Sequence, residues 1–266
     1  MKRALPTVAL VLALGVGLAA CKPAPNPSSP PQGFDTCAAP ALGTMQTWWD
    51  NSPFTSVGIY VGGANRGCSQ PNLTSSWIQS TIAQGWKMIP IWVGPQAPCT
   101  ALGSVTKITT DPLYSFLMGI TEANAAADRM TSFGIQPNSF ATVYYDMEAY
   151  PRDTTCITAV QNFTNGWTYQ LNGRGYLAGL YSSQCSGIVD VAAIYNTAKY
   201  RLNAIWIAAW NNTPNIFGFT GTCAVSDSYW PNHQRLHQFM GGHDETWGGV
   251  TINIDSDAVD GPTYPG

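Results

Sequence analysis

Residues 140–150 read Phe-Ala-Thr-Val-Tyr-Tyr-Asp-Met-Glu-Ala-Tyr, a short apolar run that ends in two acids. The β-branched and aromatic residues from Ala141 to Tyr145 favour a buried strand over a helix. Residues two apart on a strand face the same side, so Asp146 and Glu148 project together near its carboxyl end. Two close carboxylates resist simultaneous ionisation, which raises one pKa and provides an acid near neutral pH. The stretch therefore predicts either a pair suited to glycoside hydrolysis or a strand end whose acids face water or pair with arginine.

Seven more short strand-like segments accompany this one. They are residues 33–35, 57–62, 87–93, 176–182, 204–210, 235–240 and 251–257. The first five strands are each followed by a helix-like segment, at residues 41–49, 73–84, 114–133, 158–171 and 186–195. Alternation of strand and helix favours a parallel sheet, and eight strands in about 230 residues favour a TIM-like α/β barrel. An open doubly wound sheet is the alternative.

The last part of the chain departs from this alternation. Strands seven and eight begin only 16 residues apart, whereas a parallel crossover needs about a dozen residues beyond the strands. Residues 211–232 are rich in Gly, Pro, Asn and Thr and show no helical period. We therefore expect an irregular barrel whose last two or three strands lack full helices.

The N-terminus has the pattern of an export signal. Lys2 and Arg3 precede an apolar stretch, residues 8–20, that is short for a membrane span. This pattern predicts a signal peptide over residues 1–20 and therefore an exported protein.

The motif Leu18-Ala19-Ala20-Cys21 resembles a bacterial lipobox, in which the cysteine carries the lipid. The alternative is an ordinary signal peptide cleaved near Ala20. Prolines in residues 22–31 predict an extended tether, so residues 21–32 are expected to link the anchor to a folded domain over residues 33–266. The protein is thus predicted on the outer face of the cell membrane through a lipid anchor, or secreted into the cell wall.

Six cysteines remain besides Cys21, and they are Cys37, Cys68, Cys99, Cys156, Cys185 and Cys223. An even number in an exported chain predicts three disulfides, whose pairing the sequence leaves open. None occurs in a Cys-x-x-Cys pair. His233 and His237 are four residues apart, but Pro231 and the strand-like character of residues 235–240 disfavour a helical metal site. We therefore expect no metal ion.

Charged residues make up only 10% of the chain, against about 25% in average proteins. Without Lys2 and Arg3, ten basic residues remain against fifteen acidic ones, which disfavours nucleic acid or an anionic membrane surface as a partner. Ten Trp and twelve Tyr suit neutral glycans, whose ring faces lie on aromatic side chains, although most of these rings belong in a core. Gly173-Arg174-Gly175 is typical of a turn, and the sequence has no phosphate-binding loop, so we expect no cofactor. We also expect the protein to be a monomer.

In a barrel of this kind the active site lies at the carboxyl ends of the strands. Besides the pair on strand four, the candidate residues at these ends are Asp35, Tyr60, Trp92, Tyr181, Trp206, Trp210, Gln238, Asp255 and Asp257. Acids on strands one, four and eight are the most suggestive, because closure of the barrel brings the first and last strands together.

Several of these motifs resemble the glycoside hydrolase family 25 lysozymes. They resemble more closely a related group of bacterial glycoside-hydrolase-like domains of uncertain function, common in exported actinobacterial proteins. The resemblance rests on Gly33-Phe34-Asp35, the helix 122–133, Asp146-Met147-Glu148, His237-Gln238-Phe239 and Ile254-Asp255-Ser256-Asp257. It spans the whole predicted domain and implies a barrel whose last three strands lack regular helices.

The resemblance also implies a site. Family 25 enzymes cleave the β-1,4 bond between N-acetylmuramic acid and N-acetylglucosamine in peptidoglycan. Glu148 would be the general acid, and Asp146 would stabilise positive charge at the anomeric carbon or orient an acetamido group. Asp35 and Asp255 would complete the acidic cluster, with Asp257 as the alternative on strand eight. The proposed sugar-binding residues are Tyr60, Trp92, Tyr181, Trp206, Trp210, Gln238 and Asp257.

Two functions follow from these observations. The first is an exported hydrolase of cell-wall glycan, and the second is a non-catalytic wall-glycan-binding or scaffolding lipoprotein. A peptidase or amidase is disfavoured, because the chain has neither a metal signature nor a Gly-x-Ser-x-Gly nucleophile elbow.

Overall fold

Eight strands close into a barrel in the order of the chain, which confirms the predicted TIM-like α/β fold. The structure is a computed structural model that describes residues 29–266. The predicted signal peptide, Cys21 and residues 22–28 of the tether lie outside the described residues. Within the described part of the chain, no helix has both the length and the apolar character needed to cross a membrane.

The strands are β1 (Gln32–Asp35), β2 (Ser56–Gly62), β3 (Lys87–Trp92), β4 (Thr142–Met147), β5 (Leu177–Ser183), β6 (Ala204–Ala208), β7 (Arg235–Trp247) and β8 (Val250–Asp260). The helices are α1 (Leu42–Asn51), α2 (Ser75–Ala83), α3 (Pro112–Ser132), α4 (Thr154–Gly173) and α5 (Val189–Ala193). A π-helical turn, Gln184–Ile188, precedes α5. No α-helix lies between β6 and β7 in residues 29–266, as the turn-rich composition of this segment predicts.

Local chemistry explains where the main helices begin and end. The side chain of Asp111 accepts hydrogen bonds from the first turn of α3, and Pro112 occupies the first helical position. Asp153 and Thr74 cap α4 and α2 in the same way. After α3, Gly134 adopts a left-handed conformation with φ of 81°, the helix end that the sequence predicts.

The end of the barrel is a long hairpin. β7 and β8 extend beyond the predicted 235–240 and 251–257, and Gly248-Gly249 joins them with φ of 58° and 79°. Positive φ at both positions of a two-residue turn suits a tight antiparallel hairpin. β8 is antiparallel to both β7 and β1, because the short connection leaves no room for a parallel crossover. The first half of β8 therefore lies at the end of the barrel where β1 to β6 finish.

A buried cation organises the segment that replaces a helix between β6 and β7. The side chain of Arg235 is fully buried and donates hydrogen bonds to the carbonyl oxygens of Ile216, Ser226 and Tyr229. Its guanidinium also lies 4.6 Å from the ring centroid of Phe217. One side chain thus satisfies backbone groups that a helix would have satisfied internally.

We expect Arg235→Met to lower the free energy of unfolding by about 3 kcal/mol, because it leaves several buried carbonyl groups without a donor. Urea unfolding followed by circular dichroism measures this loss. Arg129→Met is the matched control, since Arg129 is exposed and its guanidinium lies 5.3 Å from the ring centroid of Phe133. Similar losses for the two variants would contradict this role of Arg235.

All three expected disulfides are present, and each joins loops at the carboxyl ends of the strands. Cys37–Cys68 connects the loops after β1 and β2, and Cys99–Cys156 connects the loop after β3 to the first turn of α4. Cys185–Cys223 ties the π-helical turn after β5 to the segment before β7. Disulfides persist in oxidising compartments, so the protein is extracellular.

Candidate active site

Five carboxyl groups converge at the carboxyl-end face of the barrel. Asp35 ends β1, Asp146 lies near the end of β4, Glu148 follows β4, and β8 supplies Asp255 and Asp257. Asp35 and Asp255 are direct partners in the β1–β8 register. Asp35, Asp146 and Asp257 are 1%, 4% and 0% exposed, whereas Glu148 is exposed and Asp255 half-buried. The acids that the sequence predicts therefore form one cluster with a buried floor and an exposed edge.

Gln238 links the cluster to two of the predicted sugar-binding rings. Its Nε2 donates to Asp35 Oδ2 over 2.8 Å, and Tyr60 Oη donates to Asp35 Oδ1 over 3.1 Å. Gln238 Oε1 accepts from Tyr181 Oη at 2.8 Å and from Trp210 Nε1 at 2.9 Å. The orientation of the Gln238 amide is fixed by these partners, so it holds both rings and Asp35 in place.

Burial raises the pKa values of the carboxyl groups in the cluster. Burial, followed by the charge of Asp255, raises the pKa of Asp35 to about 7. Burial also raises the pKa of Asp146 well above its usual value, with further contributions from Glu148 and Asp35. Desolvation and then the charge of Asp255 raise the pKa of Glu148. The cluster therefore retains protons at pH values where exposed carboxyl groups have lost them.

Two buried carboxyl oxygens have no hydrogen-bond partner among the described residues, namely Oδ1 of Asp146 and Oδ2 of Asp257. The other oxygen of Asp257 accepts from Trp206 Nε1 over 2.9 Å. Unpartnered polar atoms are costly in an interior and rare in native proteins. The side chain of Asp146 also lines a cleft. In residues 29–266, no group of three or more His, Cys, Asp or Glu side chains is arranged to hold a metal ion.

Glu148 stands between two clefts. The first cleft, of about 230 Å³, is lined by Tyr60, Asp146 and Glu148 and walled by the Cys37–Cys68 disulfide. The second cleft, of about 330 Å³, is lined by Glu148, Tyr181 and Trp210, among others. Trp210 is 66% exposed, so its ring face is open to a ligand. A chain-like ligand that lies across Glu148 would occupy both clefts.

Two predicted sugar-binding rings lie elsewhere. Trp92 points away from the barrel interior, where its Nε1 donates to Glu122 Oε2 on α3 over 2.6 Å. Alternation along β3 places Ile91 inside the barrel and hence Trp92 against the helices. Trp206 faces inward but is buried beneath the site, where it supports Asp257. The structure therefore brings Tyr60, Tyr181 and Trp210 to the clefts. The other two predicted rings, Trp92 and Trp206, line neither cleft.

The sequence reasoning missed Gln96, which lies in the loop after β3. Its side chain is buried, its Nε2 donates to the carbonyl oxygen of Asp146 over 2.8 Å, and its Oε1 accepts from the backbone N–H of Glu148 over 2.8 Å. One amide thus brackets the backbone of the two acids. A single glutamine after Gly94-Pro95 carries no pattern that distinguishes it from an ordinary loop residue.

An ion pair between the exposed Arg152 and the buried Asp190 holds the chain that follows Glu148. Asp190 on α5 is fully buried and accepts from Tyr150 Oη and from Arg152 Nε, both over 2.7 Å. These bonds tie the loop between β4 and α4 to α5. Together with Gln96 they restrict the movement of Glu148, although its own side chain is exposed.

Residues 46–259 match the model of the Rv2525c-like, glycoside hydrolase-like domain, which covers most of the chain. The protein belongs to this family. The match confirms the resemblance found in the sequence. Four of the five clustered acids of this glycoside hydrolase-like domain fall within the matched residues, while Asp35 precedes them.

Solved structures share the barrel of this glycoside hydrolase-like domain. An uncharacterized protein of B. stearothermophilus has a TM-score of 0.56 at 19% identity, over 86% of this chain and 95% of the other. The spore cortex lytic enzyme SleM of Clostridium perfringens has a TM-score of 0.52 at 15% identity, over 89% of this chain and 69% of the other. The catalytic domain of endolysin ply40 from Listeria monocytogenes bacteriophage P40 has a TM-score of 0.49 at 13% identity, over 88% of this chain and 95% of the other. At such identities the likeness to the first two of these structures concerns the fold. No curated protein matches the chain.

Proposed function

We propose that this protein hydrolyses β-1,4 glycosidic bonds of a peptidoglycan-type cell-wall glycan. The observation that carries the proposal is the position of Glu148, an exposed carboxyl group of raised pKa between two clefts and two residues from the buried Asp146. Paired carboxyl groups in different environments are what glycoside hydrolysis requires.

In the proposed reaction, protonated Glu148 donates its proton to the glycosidic oxygen as the bond to the anomeric carbon breaks. A water oxygen then bonds to the anomeric carbon, and the proton it releases restores the acid. Asp146 would stabilise positive charge at that carbon or orient an acetamido group. Asp35 and Asp255 complete the acidic cluster, and the buried Asp257 supports it from below.

The cleft walls suit a neutral glycan. Tyr60, Tyr181 and Trp210 offer aromatic surface beside the acids, and Gln238 fixes two of these rings. Sugars place apolar ring faces on such side chains and their hydroxyl groups on nearby polar atoms. A cell-wall polysaccharide is therefore the proposed partner.

The proposed cellular setting agrees with this substrate. A signal peptide over residues 1–20, lipidation of Cys21 and a tether over residues 21–32 would hold the domain of residues 33–266 at the outer face of the membrane. The spore cortex lytic enzyme that shares the fold supports a role at the cell wall. We propose that the protein acts as a monomer, contacts the membrane only through its lipid and does not bind nucleic acid.

The test is incubation of the full-length protein with purified peptidoglycan, followed by measurement of new reducing ends. Release by the wild type and its loss in Glu148→Gln would support hydrolysis. No release, or equal release by both proteins, would overturn it. Binding to insoluble wall material without release would instead support the alternative, a non-catalytic wall-binding lipoprotein.

Gln96→Leu is expected to lower the rate of reducing-end release about 100-fold, because the Glu148 backbone would lose its fixed position. Binding of the glycan should change less than the rate does, since Gln96 is a buried part of the first cleft wall whose side chain bonds the backbone of Asp146 and Glu148. Initial rates over a range of substrate concentrations separate kcat from KM. Gln170→Leu is the control, since that side chain bonds Asn124 far from the acids. A Gln96→Leu effect on KM alone would contradict the positioning role.

A further inference from the structure

A cavity of about 560 Å³ lies on the outside of the barrel. We call it the outer cavity. It is bounded by α3, α4 and residues 194–200, and the lining residues used below are Phe116, Gln161, Asn162, Tyr169, Lys199 and Tyr200. None of its lining residues lines either cleft at Glu148. The outer cavity is therefore separate from the acid cluster.

Three aromatic rings form one wall of the outer cavity. The ring centroids of Tyr169 and Tyr200 are 4.8 Å apart, and that of Phe116 lies 6.2 Å from Tyr169 and 6.4 Å from Tyr200. These rings come together because α3 and α4 pack closely. The packing is so close at Gly166 that a Cβ there would overlap the carbonyl oxygen of Phe116. Tyr169 is 45% exposed, so the wall is open to a ligand.

Two amides of α4 present fixed oxygen acceptors to the outer cavity. Gln161 Nε2 donates to the carbonyl oxygen of Asp190 over 2.7 Å, and Asn162 Nδ2 donates to that of Thr158 over 2.8 Å. These bonds hold the two side chains in place, and no described residue donates to Gln161 Oε1 or Asn162 Oδ1. Acceptors that are already oriented bind hydroxyl or amide donors with little loss of conformational entropy.

The charged groups that line the outer cavity limit the kinds of ligand that it can bind. Its lining contains one cation, Lys199, and no carboxylate among the described residues. Lys199 Nζ lies 5.2 Å from the ring centroid of Tyr200. A single ammonium group and two amide oxygens are a poor site for phosphate, which needs several donors. An apolar helix would leave the amide oxygens unpaired, which costs free energy.

We propose that the outer cavity is a second glycan-binding site, which takes one or two pyranose units of a neutral, N-acetylated β-1,4 glycan. The ring faces of the sugar lie on Tyr169 and Tyr200, and its hydroxyl or acetamido donors bind Gln161 Oε1 and Asn162 Oδ1. This site needs no cleavage at Glu148 and would hold the protein on a glycan surface while the clefts engage another strand. The inference thus goes beyond the proposed hydrolysis, while the choice of an N-acetylated β-1,4 glycan rests on the proposed function.

The test uses chitotetraose, a β-1,4-linked tetramer of N-acetylglucosamine, and the full-length Glu148→Gln protein to prevent cleavage. We expect the side-chain amide signals of Gln161 and Asn162 to shift in nitrogen–proton NMR spectra. In the Tyr169→Ala variant the affinity derived from these shifts should fall about tenfold. Tyr114→Ala is the matched control, because Tyr114 is an exposed ring on α3 that does not line the outer cavity.

Several results would overturn the second site. They are shifts confined to residues of the clefts, equal effects of Tyr169→Ala and Tyr114→Ala, and concentration-dependent dimerisation that Tyr169→Ala abolishes, which would make the cavity a contact between two copies. Asn162→Leu provides a second variant with little change in shape, and it should also weaken the binding because it removes the acceptor Oδ1.

The experiment separates this site from the proposed function. If wild-type protein releases no reducing ends but chitotetraose shifts the Gln161 and Asn162 signals, hydrolysis is wrong and the second site stands. If release occurs but these signals never shift, the hydrolysis stands and the second site is wrong.

Discussion

Replacing Glu148 by Gln is expected to reduce the release of reducing ends from wall glycan about 10²–10⁴-fold, the usual contribution of a general acid. The amide has nearly the same shape but no proton to donate. Glu148 is exposed and lines both clefts, so the loss of its proton should affect the chemical step more than folding. Initial rates on purified peptidoglycan, with the thermal unfolding midpoint of each variant, measure the two effects separately.

The pH dependence of the wild type provides a second readout of the same group. Desolvation and the charge of Asp255 raise the pKa of Glu148 above its ordinary value of 4.5. Because the reaction needs the protonated form, the rate should fall as the pH rises through this raised pKa. Glu122→Gln is the matched control, since burial also raises the pKa of Glu122 but its carboxyl group bonds Trp92 away from the clefts. Equal losses in the two variants would argue against Glu148 as the acid.

Asp257→Asn is expected to make the protein more stable than the wild type at pH 8, with a gain that shrinks toward pH 4. Burial and then the charge of Asp35 raise the pKa of Asp257 well above its usual value of 3.8. The folded state thus binds this proton more tightly than the unfolded state does. The contribution of Asp257 to the stability of the wild type is therefore fully present below pH 3.8. This contribution is lost as the pH rises through the folded-state pKa. Asparagine removes the charge and can still accept from Trp206 Nε1.

Asp35, which is 1% exposed, shows how strongly a buried carboxyl group can lower the stability of the fold as the pH rises. Its pKa rises from 3.8 to about 7, and this alone lowers the free energy of unfolding by roughly 4 kcal/mol between pH 4 and pH 8. Urea unfolding at several pH values measures the gain of Asp257→Asn. Asp128→Asn is the control, because Asp128 lies on the surface and its pairing with Arg174 contributes about 0.5 kcal/mol. A gain that is the same at every pH would show that charge burial is not its cause.

Glu148→Gln is expected to lower the rate of the reaction, whereas Asp257→Asn is expected to raise the stability of the fold. Buried acids destabilise the folded state at neutral pH, whereas apolar residues in the same places would stabilise it. Chains commonly retain such groups where chemistry needs them and lose stability in exchange. The unpartnered oxygens of Asp146 and Asp257 make the acid cluster a place of this kind.

Much of the fold could be predicted because it depends on local patterns. The eight strands and five helices follow from apolar runs and turn-rich segments in the sequence. The caps Asp111 and Asp153 start α3 and α4 a few residues before the predicted 114 and 158. The short spacing before strand eight correctly excluded a full crossover. It did not predict how far β7 and β8 extend, because Gly248-Gly249 forms a hairpin only when two long strands pair on either side of it.

The placement of aromatic rings was harder to predict. Strands of a barrel are buried on both faces, so their apolar runs do not show which residues point inward. Ile91 faces the interior and Trp92 faces the helices, although both are buried and apolar. Trp206 does point inward, but the depth of the barrel decides that it lies beneath the site.

The sequence by itself determined the class of fold, the acid pair of strand four, the strand ends where further acids occur and the six cysteines of the folded domain. Only the tertiary structure decided how the cysteines pair, which acids lose their solvent and which side chains hold them. The reason is distance along the chain: Gln238 bonds Asp35 across 203 positions and Gln96 bonds the backbone of Glu148 across 52. Burial, hydrogen-bond partners and hence pKa values arise from such remote contacts, which no local pattern encodes.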